Sequence, residues 1–324
     1  ATLQMQGPEQ QLALLLALEA VENYPYTWQA ELALGEIVRD FRLVQEFRHG
    51  AGIQGAPTLS PAEPRLLTAG EDCAFRLWDP EGGELLLTAT VCREVGGTAV
   101  RGTWSPSGNR ILTTSYDGTP RIWDAKTGKL LRELSGHGGL AAEWAPDGAQ
   151  VLSYASQEED TALLWDASSG KVIHELLGDV GIVEEARFSP DGKLVVTSLG
   201  QMWDAQSGRL RYVLDGYQEA ITRDSQLAVS WSSDGSAVGA GIGDTARVWD
   251  ASTGEVLRSL STGYQGRTKL WWSPGGEQIL TVSLDAIEPP ILWDAGTGRQ
   301  LRQLPHAAQL TAHTSPWSGS GERV

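Results

Sequence analysis

The chain of 324 residues contains little cysteine, histidine or phenylalanine, and the first two shortages argue against particular classes of protein. Two cysteines, Cys73 and Cys92, are too few for the disulfide framework of a secreted protein, so we expect a reduced, cytoplasmic setting. The five histidines are scattered, and the sequence predicts neither a metal site nor a cofactor. Only four phenylalanines occur beside 13 tryptophans, so the tryptophans are the first feature to explain.

Basic residues are also scarce: the chain has 41 acidic and 25 basic side chains, and its formal net charge is −16. A negative chain without any run of Lys or Arg repels phosphate, which predicts no nucleic-acid partner and no anionic membrane partner. The apolar stretch at 12–20 is too short to span a bilayer and contains Glu19. Gln4, Gln6, Glu9 and Gln10 stand where a secretory signal would be basic, so the sequence predicts a soluble globular protein.

The tryptophans recur in Trp-Asp pairs at intervals of 45, 42, 38, 46 and 44 residues. A spacing of about 40–45 residues indicates an internal repeat. The six pairs are Trp78 and Asp79, Trp123 and Asp124, Trp165 and Asp166, Trp203 and Asp204, Trp249 and Asp250, and Trp293 and Asp294.

A second phrase, aromatic-Ser/Ala-Pro/Ser-x-Gly, precedes most of these pairs by about nineteen residues. Short alternating segments and Gly-containing turns separate the two phrases, which predicts four antiparallel strands in each unit with the Trp on the third. One such sheet cannot bury both of its faces, whereas sheets stacked radially can, as in a β-propeller. The phrase occurs at 104–108, 144–148, 188–192, 231–235 and 271–276.

These residues resemble the WD40 repeat family over about residues 42–324, which implies an all-β, seven-bladed propeller. The segment at 42–47 aligns with a fourth strand, and 317–324 aligns with the start of a further unit. The resemblance therefore implies that 42–47 is the closing strand of the last blade. That blade is incomplete in this chain, so we expect the chain to be a fragment.

The family also has a buried, hydrogen-bonded tetrad of His, Ser or Thr, Asp and Trp. The resemblance assigns it to His137, Ser153, Asp160 and Trp165, and to His49, Thr68, Asp72 and Trp78. His, Ser and Asp also form catalytic triads, but the repeat register favours a structural network, and we predict no catalytic residue. The fourth unit lacks the Asp turn, and Gly-Tyr-Gln replaces Gly-His at 216–218 and 263–265.

Residues 1–41 differ in texture, with abundant Ala, Leu and Glu at helical spacing and no Trp-Asp pair, which predicts two helices. They could form a helical cap packed on the propeller. The segments at 12–21 and 28–38 also resemble the region that leads into WD40 repeats in bacterial STAND signal-transduction NTPases. That resemblance implies an upstream NTPase module in the same polypeptide.

The loops between fourth and first strands and between second and third strands are expected on one side of the propeller, which we call the loop face. Tyr and Arg are favoured as interface anchors, so a protein ligand is predicted there. Alternatively, each Tyr of the Gly-Tyr-Gln phrase fills the groove of the family His. The candidate partner-binding residues are Arg93, Glu94, Tyr217, Gln218, Glu219, Tyr264, Gln265 and Arg267.

Three functions remain open from the sequence. The first is a non-catalytic sensor or autoinhibitory module of a STAND protein, in which ligand binding shifts the state of the NTPase. The second is a free-standing WD40 scaffold for protein complexes. The third is an enzyme, which would need a cluster of perturbed carboxylates or histidines at the channel mouth.

Overall fold

The computed structural model describes residues 2–3, 43–45, 52–53, 57–92, 100–136, 141–154, 161–177, 183, 185–217, 229–242, 244–264, 268–284 and 288–304. Within these ranges all the regular structure is β-strand, arranged in six four-stranded sheets and one two-stranded sheet. No helix in these ranges is long and apolar enough to span a membrane.

The four-stranded sheets are numbered 1 to 6 in chain order. Sheets 1 and 2 contain β3 (Thr58–Leu59), β4 (Leu66–Ala69), β5 (Ala74–Trp78), β6 (Leu85–Thr90), β7 (Val100–Trp104), β8 (Arg110–Ser115), β9 (Arg121–Asp124) and β10 (Leu130–Glu133). Sheets 3 and 4 contain β11 (Ala141–Trp144), β12 (Gln150–Tyr154), β13 (Thr161–Asp166), β14 (Val172–Leu177), β15 (Ala186–Phe188), β16 (Leu194–Thr197), β17 (Gln201–Asp204) and β18 (Leu210–Val213). Sheets 5 and 6 contain β19 (Val229–Trp231), β20 (Ala237–Ile242), β21 (Thr245–Asp250), β22 (Val256–Ser261), β23 (Thr268–Trp272), β24 (Gln278–Ser283), β25 (Ile291–Asp294) and β26 (Gln300–Gln303).

Each of these sheets is an antiparallel meander in which sequential strands are neighbours. The Trp of every Trp-Asp pair lies on the third strand, as predicted. The second and third strands are almost wholly buried, whereas the fourth strand is mostly exposed. Gly108 and Gly128 adopt positive φ values of 69° and 66° in the turns that join the strands of sheet 2. Only glycine enters that region without steric cost, which explains the Gly that ends the second phrase and the Gly that follows the Trp-Asp pair in the next turn.

The apolar core lies between consecutive sheets rather than inside any one of them. Leu67 and Phe75 of sheet 1 pack with Ile111 and Trp123 of sheet 2, and the rings of Phe75 and Trp123 meet edge to face at 5.4 Å. Equivalent clusters join sheets 2 and 3, 3 and 4, 4 and 5, and 5 and 6, each with the Trp of the later sheet. The sheets therefore stack face to face in chain order.

A polar contact repeats at the outer side of this stack. The side chain nine positions after the Trp, on the fourth strand, bonds a main-chain carbonyl in the Trp-Asp turn of the next sheet. The pairs are Arg132 with Ser168 (2.7 Å), His174 with Gln206 (2.8 Å), Tyr212 with Ala251, and Arg258 with Gly296 (2.9 Å).

The two-stranded sheet pairs β1 (Thr2–Leu3) with β2 (Leu43–Gln45). β2 lies inside the predicted closing strand at 42–47, but its pairing with a last blade is not among the described contacts. The predicted helices of 1–41, and the seventh unit at 317–324, lie outside the described residues except for Thr2–Leu3. The blade count, the domain boundary and the helical segment therefore stay predictions.

The structure joins Cys73 to Cys92 in a disulfide, with the two Cα atoms 5.5 Å apart. This bond differs from the reduced pair expected from the cysteine count. Cys73 immediately precedes β5, and Cys92 follows β6, so the pairing of β5 with β6 brings the two residues together. The main-chain N–H of Val91 also donates to the carbonyl of Cys73 at 2.8 Å. A cytoplasmic location stays a prediction.

Candidate functional site

Four of the repeat tryptophans share one buried hydrogen bond, in which the indole Nε1–H donates to a hydroxyl on the second strand. The hydroxyl residue lies two positions beyond the residue that pairs with the Trp, as Ser153 lies beyond Val151. The bonds are Trp78 to Thr68 (2.8 Å), Trp123 to Thr113 (2.8 Å), Trp165 to Ser153 (2.8 Å) and Trp293 to Thr281 (2.9 Å).

Sheets 4 and 5 depart from this pattern. Sheet 5 has Ala240 at the hydroxyl position, and its Trp249 donates instead to the main-chain carbonyl of Asp215 at 2.9 Å. In sheet 4 the buried Nε1 of Trp203 has no hydrogen-bond partner among the described residues, and Thr197 donates to Gln201. A buried donor without a partner costs stability. The departure of the fourth unit seen in the sequence thus has a physical counterpart.

The remaining tetrad residues are only partly described. Asp72 accepts two hydrogen bonds from the Arg76 guanidinium, at 3.3 and 2.5 Å. His49, His137 and Asp160 lie outside the described residues. In each predicted tetrad the structure thus describes the hydrogen bond between the Trp and the hydroxyl, and the complete network stays a prediction.

The Asp of each Trp-Asp pair acts locally, as an acceptor for the turn that follows it. Asp166 accepts from the Ser168 hydroxyl at 2.7 Å and from the Ser169 N–H at 2.6 Å, and these bonds lower its pKa to about 2. Asp124 accepts from the Thr127 hydroxyl and N–H, which lowers its pKa in the same way. These carboxylates are therefore occupied in holding the turns.

Tyr217 and Tyr264, predicted as partner-binding anchors, are buried, with 0 % and 3 % of their surface exposed. Tyr217 donates to the carbonyl of Ser198 at 3.1 Å, and Tyr264 bonds the carbonyls of Thr281 and Pro289 at 3.0 and 2.9 Å. Burial raises the pKa of both hydroxyls. The prediction that these two tyrosines are surface anchors disagrees with their burial. The structure favours the alternative that each Tyr fills a groove between sheets.

The other six candidates, namely Arg93, Glu94, Gln218, Glu219, Gln265 and Arg267, lie outside the described residues. Most of the predicted loop face does so too.

A charged cluster that the sequence analysis missed lies on or directly beside the first strands of sheets 3, 4 and 6. Arg187 of β15 bonds Glu143 of β11 at 2.9 Å and Glu185 at 2.7 Å. The second oxygen of Glu143 accepts the main-chain N–H of Phe188 at 2.8 Å. We call Glu143, Glu185, Arg187 and Lys269 the inner cluster.

Lys269 of the inner cluster is within electrostatic reach of Glu185 and Arg187. Lys269 lies on sheet 6, two sheets away from Arg187 and Glu185. Burial lowers the pKa of Lys269, while Glu185 opposes this change and Arg187 adds to it. Burial likewise raises the pKa of Glu143 against the opposing charge of Arg187.

Three members of the inner cluster are engaged with one another. Both oxygens of Glu143 are engaged, and Arg187 is shared between two carboxylates. In the described ranges no group of three or more His, Cys, Asp or Glu side chains could hold a metal ion. The cluster links sheet 3 to sheet 4. The sequence contains one signal for this cluster: a charged residue, Glu143 or Arg187, stands directly before the aromatic residue that begins the second phrase.

A family comparison matches residues 92–124 to the WD domain, G-beta repeat (WD40). This range begins at Cys92 and ends with the Trp-Asp pair of sheet 2. The six sheets fit a WD40 β-propeller. No curated protein matches the chain. WD40 propellers are generally non-catalytic scaffolds that bind proteins, and the match indicates no catalytic family.

Proposed function

We propose that this chain is a non-catalytic, protein-binding propeller that presents its loop face to a protein partner. The observation that carries the proposal is the stack of six sheets with a matched WD40 repeat in sheet 2. Successive sheets are joined by apolar cores and by the outer polar contacts, which gives a rigid support for loops. Rigid frameworks that hold variable loops are the usual basis of partner recognition.

The buried tyrosines refine this proposal. Tyr217 and Tyr264 fix the chain immediately before Gln218 and Gln265, because each ring is held between sheets by a hydrogen bond to a carbonyl. In this proposal the partner contacts the polar residues that follow the tyrosines, namely Gln218, Glu219, Gln265 and Arg267.

Affinity capture followed by direct binding tests the loop-face proposal. The chain is immobilised, proteins captured from its source cells are identified by mass spectrometry, and each is purified for calorimetry. We expect Glu219→Arg to weaken the binding of the true partner at least tenfold. Glu175→Arg is the matched control, because it makes the same charge change on the exposed fourth strand of sheet 3. Equal weakening by both variants, or by the control alone, would contradict binding at the loop face.

The more specific proposal is that the propeller is the sensor or autoinhibitory module of a larger STAND-type bacterial signalling NTPase, acting in the cytoplasm. Its support is the helical pattern at 12–21 and 28–38. Ligand binding would then favour one state of the attached NTPase, which requires different affinities for the two states. The alternative is a free-standing scaffold.

The gene on both sides of this chain distinguishes these two proposals. An upstream Gly-x4-Gly-Lys-Ser/Thr motif would support the sensor, and the full polypeptide should then hydrolyse ATP at a rate that depends on the partner. A reading frame that begins near Ala1 would contradict the sensor and leave the scaffold.

A further inference from the structure

The disulfide lies at a position where the repeat places other residues. Cys73 precedes Trp78 by five residues, and Gly118 stands at that position in sheet 2. Cys73 adopts φ +58° and Gly118 adopts φ +71°, and Cys73 is the single non-glycine residue with positive φ in the described ranges. Cys73 therefore takes the left-handed conformation of a turn glycine although it carries a Cβ, which disfavours that conformation.

Cys92 occupies a second special position of the repeat. It follows Trp78 by 14 residues, as Tyr217 follows Trp203. Tyr217 reaches back to the turn between the second and third strands of its own sheet, where it bonds the carbonyl of Ser198. Cys92 reaches the equivalent turn of sheet 1 and bonds Cys73 covalently. The disulfide thus replaces a hydrogen bond that another sheet uses at the same place.

The turn held by the disulfide also binds an earlier segment of the chain. The N–H of Glu71 donates to the carbonyl of Gly52 at 2.9 Å, and Ile53 forms an isolated β-bridge with Gly70. Gly52 and Ile53 follow β2 and precede sheet 1. The conformation of residues 70–73 therefore decides how firmly this segment is attached to the first sheet.

We propose that the Cys73–Cys92 disulfide is a redox-responsive clamp that attaches Gly52 and Ile53 to sheet 1. Cys73 is buried, whereas Cys92 is partly exposed at the end of the fourth strand, so a dithiol reductant has access from that side. One thiolate of the reductant attacks a sulfur of the disulfide and the other cysteine leaves as a thiolate. The second thiol of the reductant then displaces the first cysteine. The products are two cysteine thiols and one oxidised dithiol.

Reduction removes the link that holds Cys73 in the left-handed region. The turn then relaxes, and the hydrogen bonds donated by its amide N–H groups open. Disulfides of cytosolic proteins in mesophiles are usually transient and redox-sensing. The clamp therefore reconciles a disulfide with the cytoplasmic setting predicted from the composition. It does not depend on the protein-binding proposal.

Amide hydrogen exchange on the full chain, with and without dithiothreitol under native conditions, tests the clamp. We expect the amides of Glu71 and Val91 to exchange at least tenfold faster after reduction. The amide of Gly118, which donates to Ser115 in the equivalent turn of sheet 2, should not change. The double variant Cys73→Gly, Cys92→Ser places at position 73 the residue that sheet 2 has there, Gly118, and its exchange should not respond to dithiothreitol.

Four results would overturn the clamp. The first is purified protein without the disulfide, and the second is a disulfide that dithiothreitol reduces only after unfolding. The third is unchanged exchange at Glu71 and Val91 when alkylation shows both thiols to be free. The fourth is equal acceleration at Gly118, which would indicate general loosening of the fold.

Discussion

Tyr217 packs against Gly200 so closely that a Cβ at position 200 would lie 2.4 Å from the tyrosine ring. Gly200 lies in the turn between β16 and β17, the short turn that lacks the Asp of the other units, and has φ +70°. The hydroxyl of Tyr217 completes the contact at the carbonyl of Ser198. The tyrosine therefore occupies space that the shortened turn leaves open.

Gly200→Ala should destabilise the protein by about 3 kcal/mol, because a left-handed residue with a Cβ and an overpacked ring each cost energy. Gly263→Ala is the matched control, since Gly263 has φ +71° and nothing within 4 Å of its added Cβ. It should cost only about 1–2 kcal/mol, the conformational part. Urea unfolding at equilibrium measures both values. Equal costs would show that Tyr217 yields freely.

Loss of the Trp–hydroxyl bond should depend on the sheet. Thr113→Val removes the acceptor of the Trp123 indole and should cost about 1–3 kcal/mol, because a buried N–H loses its partner. Thr197→Val is the matched control, since both threonines are fully buried but the Trp203 indole donates no hydrogen bond to Thr197. The control removes only the long bond of 3.4 Å from Thr197 to Gln201. We expect the control to cost less than about 1 kcal/mol. Thermal and urea unfolding compare the two, and a control that costs as much as Thr113→Val would refute the assignment.

Acid should weaken the Trp-Asp turns in a defined pH window. The bonds from Ser168 and Ser169 hold the pKa of Asp166 at about 2, below the unfolded value of about 3.9. A depressed pKa adds stability that is present above pH 4 and is lost as the pH falls through about 2. The variant Ser168→Ala removes the hydroxyl donor and should raise the Asp166 pKa. An NMR titration of the side-chain carboxyl measures this shift, and an unchanged pKa would exclude the hydroxyl as a cause.

Arg187 of the inner cluster should contribute more stability than an ion pair on the outer strands. Arg187→Met leaves Glu143 and Glu185 without their shared cation. Because the Arg187 side chain is 42 % exposed, we expect a cost of about 1–2 kcal/mol rather than that of a fully buried pair. The control Arg211→Met breaks the exposed pair with Asp204 and should cost about 0–1 kcal/mol. The order of the two urea midpoints checks this prediction, and the reverse order would contradict it.

The repeat could be read from the sequence because its causes are local. The Trp-Asp period, the turn glycines and the alternation of short strands predicted four strands per unit, and the six sheets agree. The resemblance to the WD40 family also assigned Ser153 and Thr68 as partners of Trp165 and Trp78, and both hydroxyls accept the indole N–H. The sequence likewise identified sheet 4 as irregular from its missing Asp turn.

The tertiary structure alone decided which side chains leave the solvent and which charges meet. Tyr217 and Tyr264 are apolar rings with a polar tip, a chemistry that suits an interface and a groove equally, and only stacking of the sheets buried them. Glu143 and Arg187 lie 44 residues apart and meet because their strands are the first strands of adjacent sheets. Cys73 and Cys92 pair because β5 and β6 are neighbours. The local sequence pattern thus determined the four-stranded units. Contacts between strands that are distant in sequence determined which side chains are buried and which pair with one another.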